Sequence, residues 1–326
     1  MKKFKRKGDD ADDSHQNSKD DSSSYHIPVL LNEVLDYLRI RPDGVYVDCT
    51  FGGGGHGRAI LERLGANGKL VAFDQDADAR LNLPDDNRVV FVPNNFRYLQ
   101  RFLKLNGIGE VDGILADLGV SSHQFDEAER GFSIRFDAAL DMRMDQRQAK
   151  TAVEVLNGYT EQQLHKIFEQ YGEVTNAKTL ARTIVEKRKA APIKTIQGLK
   201  DALAGIVKGN PNKYFAQVFQ ALRMEVNEEL AALREMLEQV PATLKTGGRV
   251  AVITFHSIED RIVKIFFRDN TFEAQEENPF DNTEKKKVLR AVNKKPVVAT
   301  AEETKINPRA RSAKLRVAEK INELDL

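Results

Sequence analysis

Apolar positions follow two different rhythms along the first 120 residues. Val45-Tyr46-Val47-Asp48-Cys49-Thr50, Lys69–Asp74, Val89–Val92 and Val111–Leu118 are short runs, mostly apolar and bounded by turn residues. Runs of that length predict strands buried on both faces. Between them, Arg58–Leu64 and Arg97–Leu105 carry helical spacing. His26–Leu38 does so ahead of the first strand, with Leu30, Leu31, Val34, Leu35 and Leu38 on one face. Strand and helix in alternation predict an α/β fold with a parallel sheet covered on both faces.

The alternation stops near Gln124. From there to Asn212 no run reads as a strand, and Thr151–Leu156, Glu161–Tyr171, Ala177–Lys189 and Ile196–Val207 read as helices. An all-α insertion is therefore expected. Phe215–Gln239 reads as one long amphipathic helix. Gly247-Gly248 turns into a strand over Arg249–Phe255, followed by a helix over Glu259–Arg268. Asn270–Thr304 is polar and irregular, and Ala313–Ala318 reads as a last, edge strand. The organisation expected is a disordered tail at 1–24, a Rossmann-like sheet domain at 25–123 and 213–326, and an inserted helical domain at 124–212.

Composition narrows the class. Hydrophobic residues make up 41% and charged residues 30% of the 326, the balance of a soluble globular chain. No apolar run approaches the ~18 residues that span a bilayer, and Met1–Ser24 lacks the apolar stretch of a secretory signal. A single cysteine, Cys49, excludes an internal disulfide, so a reducing cytoplasm is expected. The net charge of +1 announces no polyanion partner. Local clusters do more: Lys178, Arg182, Lys187, Arg188, Lys189 and Lys194 mid-chain, Lys285–Lys287 with Arg290, Lys294 and Lys295, then Arg309, Arg311, Lys314 and Arg316. Each is either solvated surface or a phosphate-binding patch.

Thr50-Phe51-Gly52-Gly53-Gly54-Gly55-His56-Gly57 follows a predicted strand and precedes a predicted helix. Gly52, Gly54 and Gly57 satisfy G-x-G-x-x-G, and Asp74 ends the next strand where a ribose-binding acid belongs. A nicotinamide oxidoreductase is one reading. Asp48 favours another: a carboxylate at the first strand end suits the cationic methionine part of S-adenosylmethionine and would repel a pyrophosphate. Asp74 is then placed for the ribose hydroxyls and Asn94-Asn95-Phe96 for the adenine. Asp117 closes the fourth strand, where open α/β sheets bind ligands.

Longer stretches resemble one family. They are His26-Ile-Pro-Val-Leu-Leu31, Asp48-Cys-Thr-Phe-Gly-Gly-Gly-Gly-His-Gly57, Ala116-Asp-Leu-Gly-Val-Ser-Ser122, Asp126-Glu-Ala-Glu-Arg-Gly-Phe-Ser133 and Leu140-Asp-Met-Arg-Met-Asp145. Phe219-Gln-Ala-Leu-Arg223, Val226-Asn227, Thr254-Phe-His-Ser-Ile-Glu-Asp-Arg261 and Asn307-Pro-Arg-Ala-Arg-Ser312 follow in order. Together they resemble the MraW/RsmH methyltransferases of small-subunit (16S) ribosomal RNA. The resemblance implies a class I methyltransferase sheet, S-adenosylmethionine as cofactor, and N4-methylation of a cytidine in the ribosomal decoding region. It places cofactor contacts on Gly54, Gly55, His56, Asp74, Phe96, Asp117 and Gln124. Cys49, His123 and Ala216-Gln217-Val218 depart from the family pattern.

Three residues are catalytic candidates. Asp117 stands where other amino-methyltransferases begin an acceptor clamp, His256 ends the fifth strand, and Asp141 sits in an alternating charged and thioether run. Arg143, Arg223, Arg309 and Arg311 are the RNA-binding candidates, since arginine forks onto phosphate oxygens. His and acidic residues do not fall at metal-ligand spacing, so no metal is expected. The partner expected is 16S ribosomal RNA or the small subunit, with a homodimer as an option and no membrane. A ribosome assembly factor without catalysis is the alternative outside enzymes.

Overall fold

The computed structural model describes residues 28–272 and 287–322. The expected tail at 1–24, the start of the first predicted helix and Lys285-Lys286 lie outside them. Seven strands form one sheet: β1 (Val45–Asp48), β2 (Lys69–Phe73), β3 (Val89–Val92), β4 (Val111–Asp117), β5 (Leu244–Thr254), β6 (Leu289–Ala291) and β7 (Lys314–Lys320). Their order is β3-β2-β1-β4-β5-β7-β6. The first five pair in parallel, whereas β7 runs antiparallel to β5 and to β6. The strand order reverses between β1 and β4, so the chain leaves their carboxyl ends in opposite directions and opens a crevice there.

Both faces of the sheet are buried, which is why the strands read as continuous apolar runs. Val47, Val71, Ile114 and Val252 point to one face, under α3 (Leu99–Leu105), α10 (Glu229–Thr243) and α11 (Ser257–Asp269). Tyr46, Leu70, Leu115 and Ile253 point to the other, under α1 (Leu31–Leu38) and α2 (Gly55–Glu62). After the short α4 (Ser122–Asp126) comes a separate helical core. It is built from α5 (Ala152–Gly158), α6 (Glu161–Gln170), α7 (Ala177–Lys187), α8 (Ile196–Leu203) and α9 (Pro211–Val226). Val218, Phe219 and Leu222 of α9 pack into that core, so α9 joins the insertion to the sheet domain.

Three expectations need correction. The helix expected over Phe215–Gln239 is two, α9 and α10, broken at Asn227 and Glu228, where Glu228 takes a left-handed φ of 51°. Apolar spacing continues through the break and neither Gly nor Pro marks it. The final strand is not an edge: β6 covers β7 from within the segment expected to be irregular. Only Leu289 of its three residues is buried, too short a run for alternation to show. The same segment also holds a helix, α12 (Ala301–Ile306).

Candidate functional site

The crevice between β1 and β4 opens into a cleft of about 660 Å³. Its floor is the glycine loop. Gly52 and Gly54 adopt φ of 49° and 76°, the left-handed region that glycine enters without strain. A Cβ on Gly54 would sit 2.7 Å from the Phe51 ring, and one on Gly57 would meet the same ring at 2.7 Å. Phe51 is thus the buried post around which the loop wraps, and its neighbours must lack side chains.

Beneath the loop lies Asp48, buried, with Oδ1 accepting the Thr50 N–H at 3.1 Å. Burial pushes its carboxyl up to about 7, and the nearby Asp74 charge adds to the rise. Asp74, at the end of β2, accepts the Gly52 N–H at 2.7 Å and the Asp76 N–H at 2.8 Å. Burial raises it to about 6. Asp117 ends β4. Its backbone N–H donates to Thr50 Oγ1 at 2.8 Å, while its Oδ1 is enclosed and has no hydrogen-bond partner among the described residues. Burial, then the Asp48 charge, raise Asp117 to about 7.

His56 begins α2. Its Nε2 lies 2.9 Å from the Val29 carbonyl, which only a protonated Nε2 can serve. Burial lowers its pKa to about 4, so the neutral ring turns an acceptor, Nδ1, toward Asp117 Oδ2 at 3.7 Å. On the far wall, Gln124 accepts the Ser121 N–H and donates through Nε2 to Asp76 Oδ2 at 2.7 Å. Arg130 binds the same Asp76 oxygen at 2.8 Å. This buried network ties the segment after β4 to the end of β2.

Of the expected cofactor residues, Gly55, His56, Asp74, Phe96, Asp117 and Gln124 line the one cleft. Gly54 caps α2 directly behind it, and Asp48 supports the loop from below. The other catalytic candidates stand apart. His256 does not line the cleft; its Nε2 faces Arg223 Nη2 at 3.4 Å, and burial, with Arg223 beside it, lowers its pKa to about 3. Asp141 holds Arg143 through two bonds of 2.8 and 2.7 Å, so these two expected site residues occupy each other.

Arg223 was expected to meet RNA, but it is buried and bound to Glu229 at 2.8 and 3.0 Å. Ala221, Leu222, Arg223 and Met224 are all buried, so α9 is enclosed on most sides at this turn and Arg223 with it. Arg309 lies at the cleft mouth, donating to the Val120 carbonyl, and Arg311 is exposed on the same turn. Among the lining residues that the sequence reading did not single out are two acids, Glu259 and Glu229. Glu259 accepts the N–H groups of Phe255 and His256 at 3.0 and 3.3 Å, and burial raises it to about 7. Glu229 lines the same end. Glu259 looked like an ordinary acid at a helix start; its place in the first turn of the helix that follows β5, five residues after the strand ends, was the available signal.

Among the described residues, no group of three or more His, Cys, Asp or Glu could hold a metal, and no helix is long and apolar enough to cross a membrane. The model of the MraW methylase family matches residues 23–321. A ribosomal RNA small subunit methyltransferase H of Flavobacterium johnsoniae is 54% identical over 298 residues, covering 91% of this chain and 98% of that one. The protein of the same name from Parabacteroides distasonis is 52% identical over 302 residues, covering 92% and 98%.

Proposed function

The chain belongs to the MraW methylase family, and on that premise we propose that it methylates N4 of a cytidine in the decoding region of small-subunit (16S) ribosomal RNA. S-adenosylmethionine is the methyl donor. The observation that carries the reading is the pairing of a glycine-floored cleft with buried carboxylates, one of them Asp117 with an unpartnered oxygen. The residues fit that cofactor. Glycines 52, 53 and 55 leave room for close approach of a ligand to the backbone. Asp74 still has lone pairs for ribose hydroxyls, and Asp48 and Asp117 offset positive charge. A dinucleotide pyrophosphate would face the same buried acids, which disfavours the oxidoreductase reading.

When bound, the cofactor supplies an electrophilic methyl group on a sulfonium. The protein must do the rest. The cytosine amine is a poor nucleophile because its lone pair is delocalised into the ring. Asp117 accepts a hydrogen bond from one amine N–H and the Leu118 carbonyl accepts the other, which fixes the amine plane at an attacking distance of about 3–3.5 Å. The amine loses its proton during or after transfer, with Asp117 as its acceptor. A base in RNA must leave its stack to be reached, and the helical insertion forms a wall that holds it. Transfer of labelled methyl to purified small subunits tests the reading. Calorimetry supplies the second arm: adenosylhomocysteine binds and NAD does not. Tight NAD binding without methyl transfer would return the chain to the oxidoreductase class, and binding to subunits without transfer would make it an assembly factor.

A further inference from the structure

Single exposed apolar side chains are ordinary on protein surfaces. Phe125 differs in three respects. First, it is 40% exposed on a segment that is anchored, not loose. Ser121 and Gln124 form a capping box around α4, and the adjacent Gln124 side chain is buried against Asp76. Holding a ring out from such anchors removes most of the entropy a mobile side chain would lose on binding. Second, the Arg309 guanidinium lies 5.8 Å from the Phe125 ring centroid, and that arginine is itself fixed to the Val120 carbonyl. Third, both flank the mouth of the cleft that holds Asp117, yet Phe125 does not line its interior. Leu81, 86% exposed, adds a second apolar side chain to the cleft lining.

We propose that Phe125, backed by Arg309, is a stacking platform for an unpaired RNA base that neighbours the base entering the cleft. The inference rests on the reading of the chain as an RNA methyltransferase. An exposed aromatic with a cation beside it takes the flat face of any base, without sequence preference. Arg311 on the same turn is placed for the flanking phosphate. Asp126, also at the mouth, repels phosphate from the ring itself and so favours a base face there. Since the ring lies outside the cleft interior, the cofactor is the poorer candidate for it.

The chain has no tryptophan, so Phe125→Trp in the full chain makes a single reporter of this position. The probe is a single-stranded oligocytidylate of about twelve nucleotides, within the footprint of common single-strand binders. With adenosylhomocysteine saturating, the platform predicts saturable quenching by oligocytidylate and none by an abasic strand of equal length. Quenching by adenosylhomocysteine alone, with no further change on adding RNA, makes the ring a cofactor lid and overturns the proposal; so does no quenching by either. In parallel, Phe125→Ala is compared with the parent in methylation of small subunits. KM for the subunit should rise about tenfold, the loss of one stacked base, while kcat and cofactor affinity hold. A parent enzyme that methylates no ribosomal RNA sinks the functional reading; an active parent with an unchanged Phe125→Ala KM sinks the platform alone.

Discussion

Between β4 and α2 two acceptors face each other. His56 commits Nε2–H to the Val29 carbonyl, and its Nδ1 lone pair meets Asp117 Oδ2 at 3.7 Å. The contact becomes attractive when Asp117 carries a proton, and burial has already moved that carboxyl to about 7. In the mechanism proposed above, methyl transfer needs the ionised form as acceptor, so single-turnover rate should climb through about pH 7 and level off above it. Asp117→Ala should cut that rate by roughly 10²–10⁴ at saturating cofactor, and Asp117→Asn, which keeps one acceptor, by less. A rate within a few-fold of the parent would confine Asp117 to cofactor binding. Stability moves the other way. The folded state holds a proton that an unfolded carboxyl, at 3.8, has released, so this contribution is complete below about pH 4 and lost as pH rises through about 7. The groups facing Asp117 are Asp48, Glu259, Arg309 and His56. Asp117→Asn, always neutral, should therefore melt above the ligand-free parent near pH 8, with the gap closing toward about pH 4. An equal gap at both would contradict the burial argument. The acids at strand ends were readable in the sequence because strand ends in such sheets face ligands. Arg223 was not, because the sequence shows its charge and not that α9 is enclosed on most sides at that turn.

At the scale of elements, one junction joins the insertion to the cleft. Asn227 breaks α9 from α10 and uses its side chain four times. It accepts the Met144 N–H at 2.7 Å, and donates to the Met142 carbonyl at 2.7 Å and the Arg223 carbonyl at 2.9 Å; Gln148 Nε2 adds a longer donation to the same side-chain oxygen at 3.4 Å. Met144 lines the cleft, so this asparagine sets both the helix break and one cleft wall. Asn227→Ala should cost roughly 2–4 kcal/mol in denaturant unfolding, since it strands buried backbone groups, and should weaken cofactor binding as well. A loss below about 0.5 kcal/mol would mean that water replaces the side chain. The sequence hid this break because the apolar period runs through it and the left-handed turn falls on Glu228 rather than on a glycine. The parallel strands were legible from length and burial on both faces. The hairpin of β6 and β7 was only half legible, since three residues cannot display a period.

For the whole molecule, the sheet ends supply the floor of the cleft, and the proposed methyl-transfer site lies at the crevice where strand order reverses. The formal charge of +1 gives no general pull on RNA, so affinity must come from local cations such as Arg311. Arg311→Ala should lower the log–log salt slope of subunit binding by about one unit, one phosphate contact's worth. An unchanged slope would leave Arg311 as plain surface. Deleting Met1–Ser24, which has little apolar surface to bury, should leave melting temperature and cofactor affinity unchanged; a large drop in melting temperature would show that it packs on the domain. The parallel part of the sheet was legible because strand and helix alternate there, whereas which RNA surface meets the protein is a matter of shape that composition does not encode. The most direct test of the account is mass-spectrometric mapping of methylated nucleotides in small-subunit ribosomal RNA from cells with and without this protein. The account predicts one cytidine of the decoding region that carries an N4-methyl group only when the protein is present. Identical maps, or a methyl lost from another atom or another molecule, would contradict it.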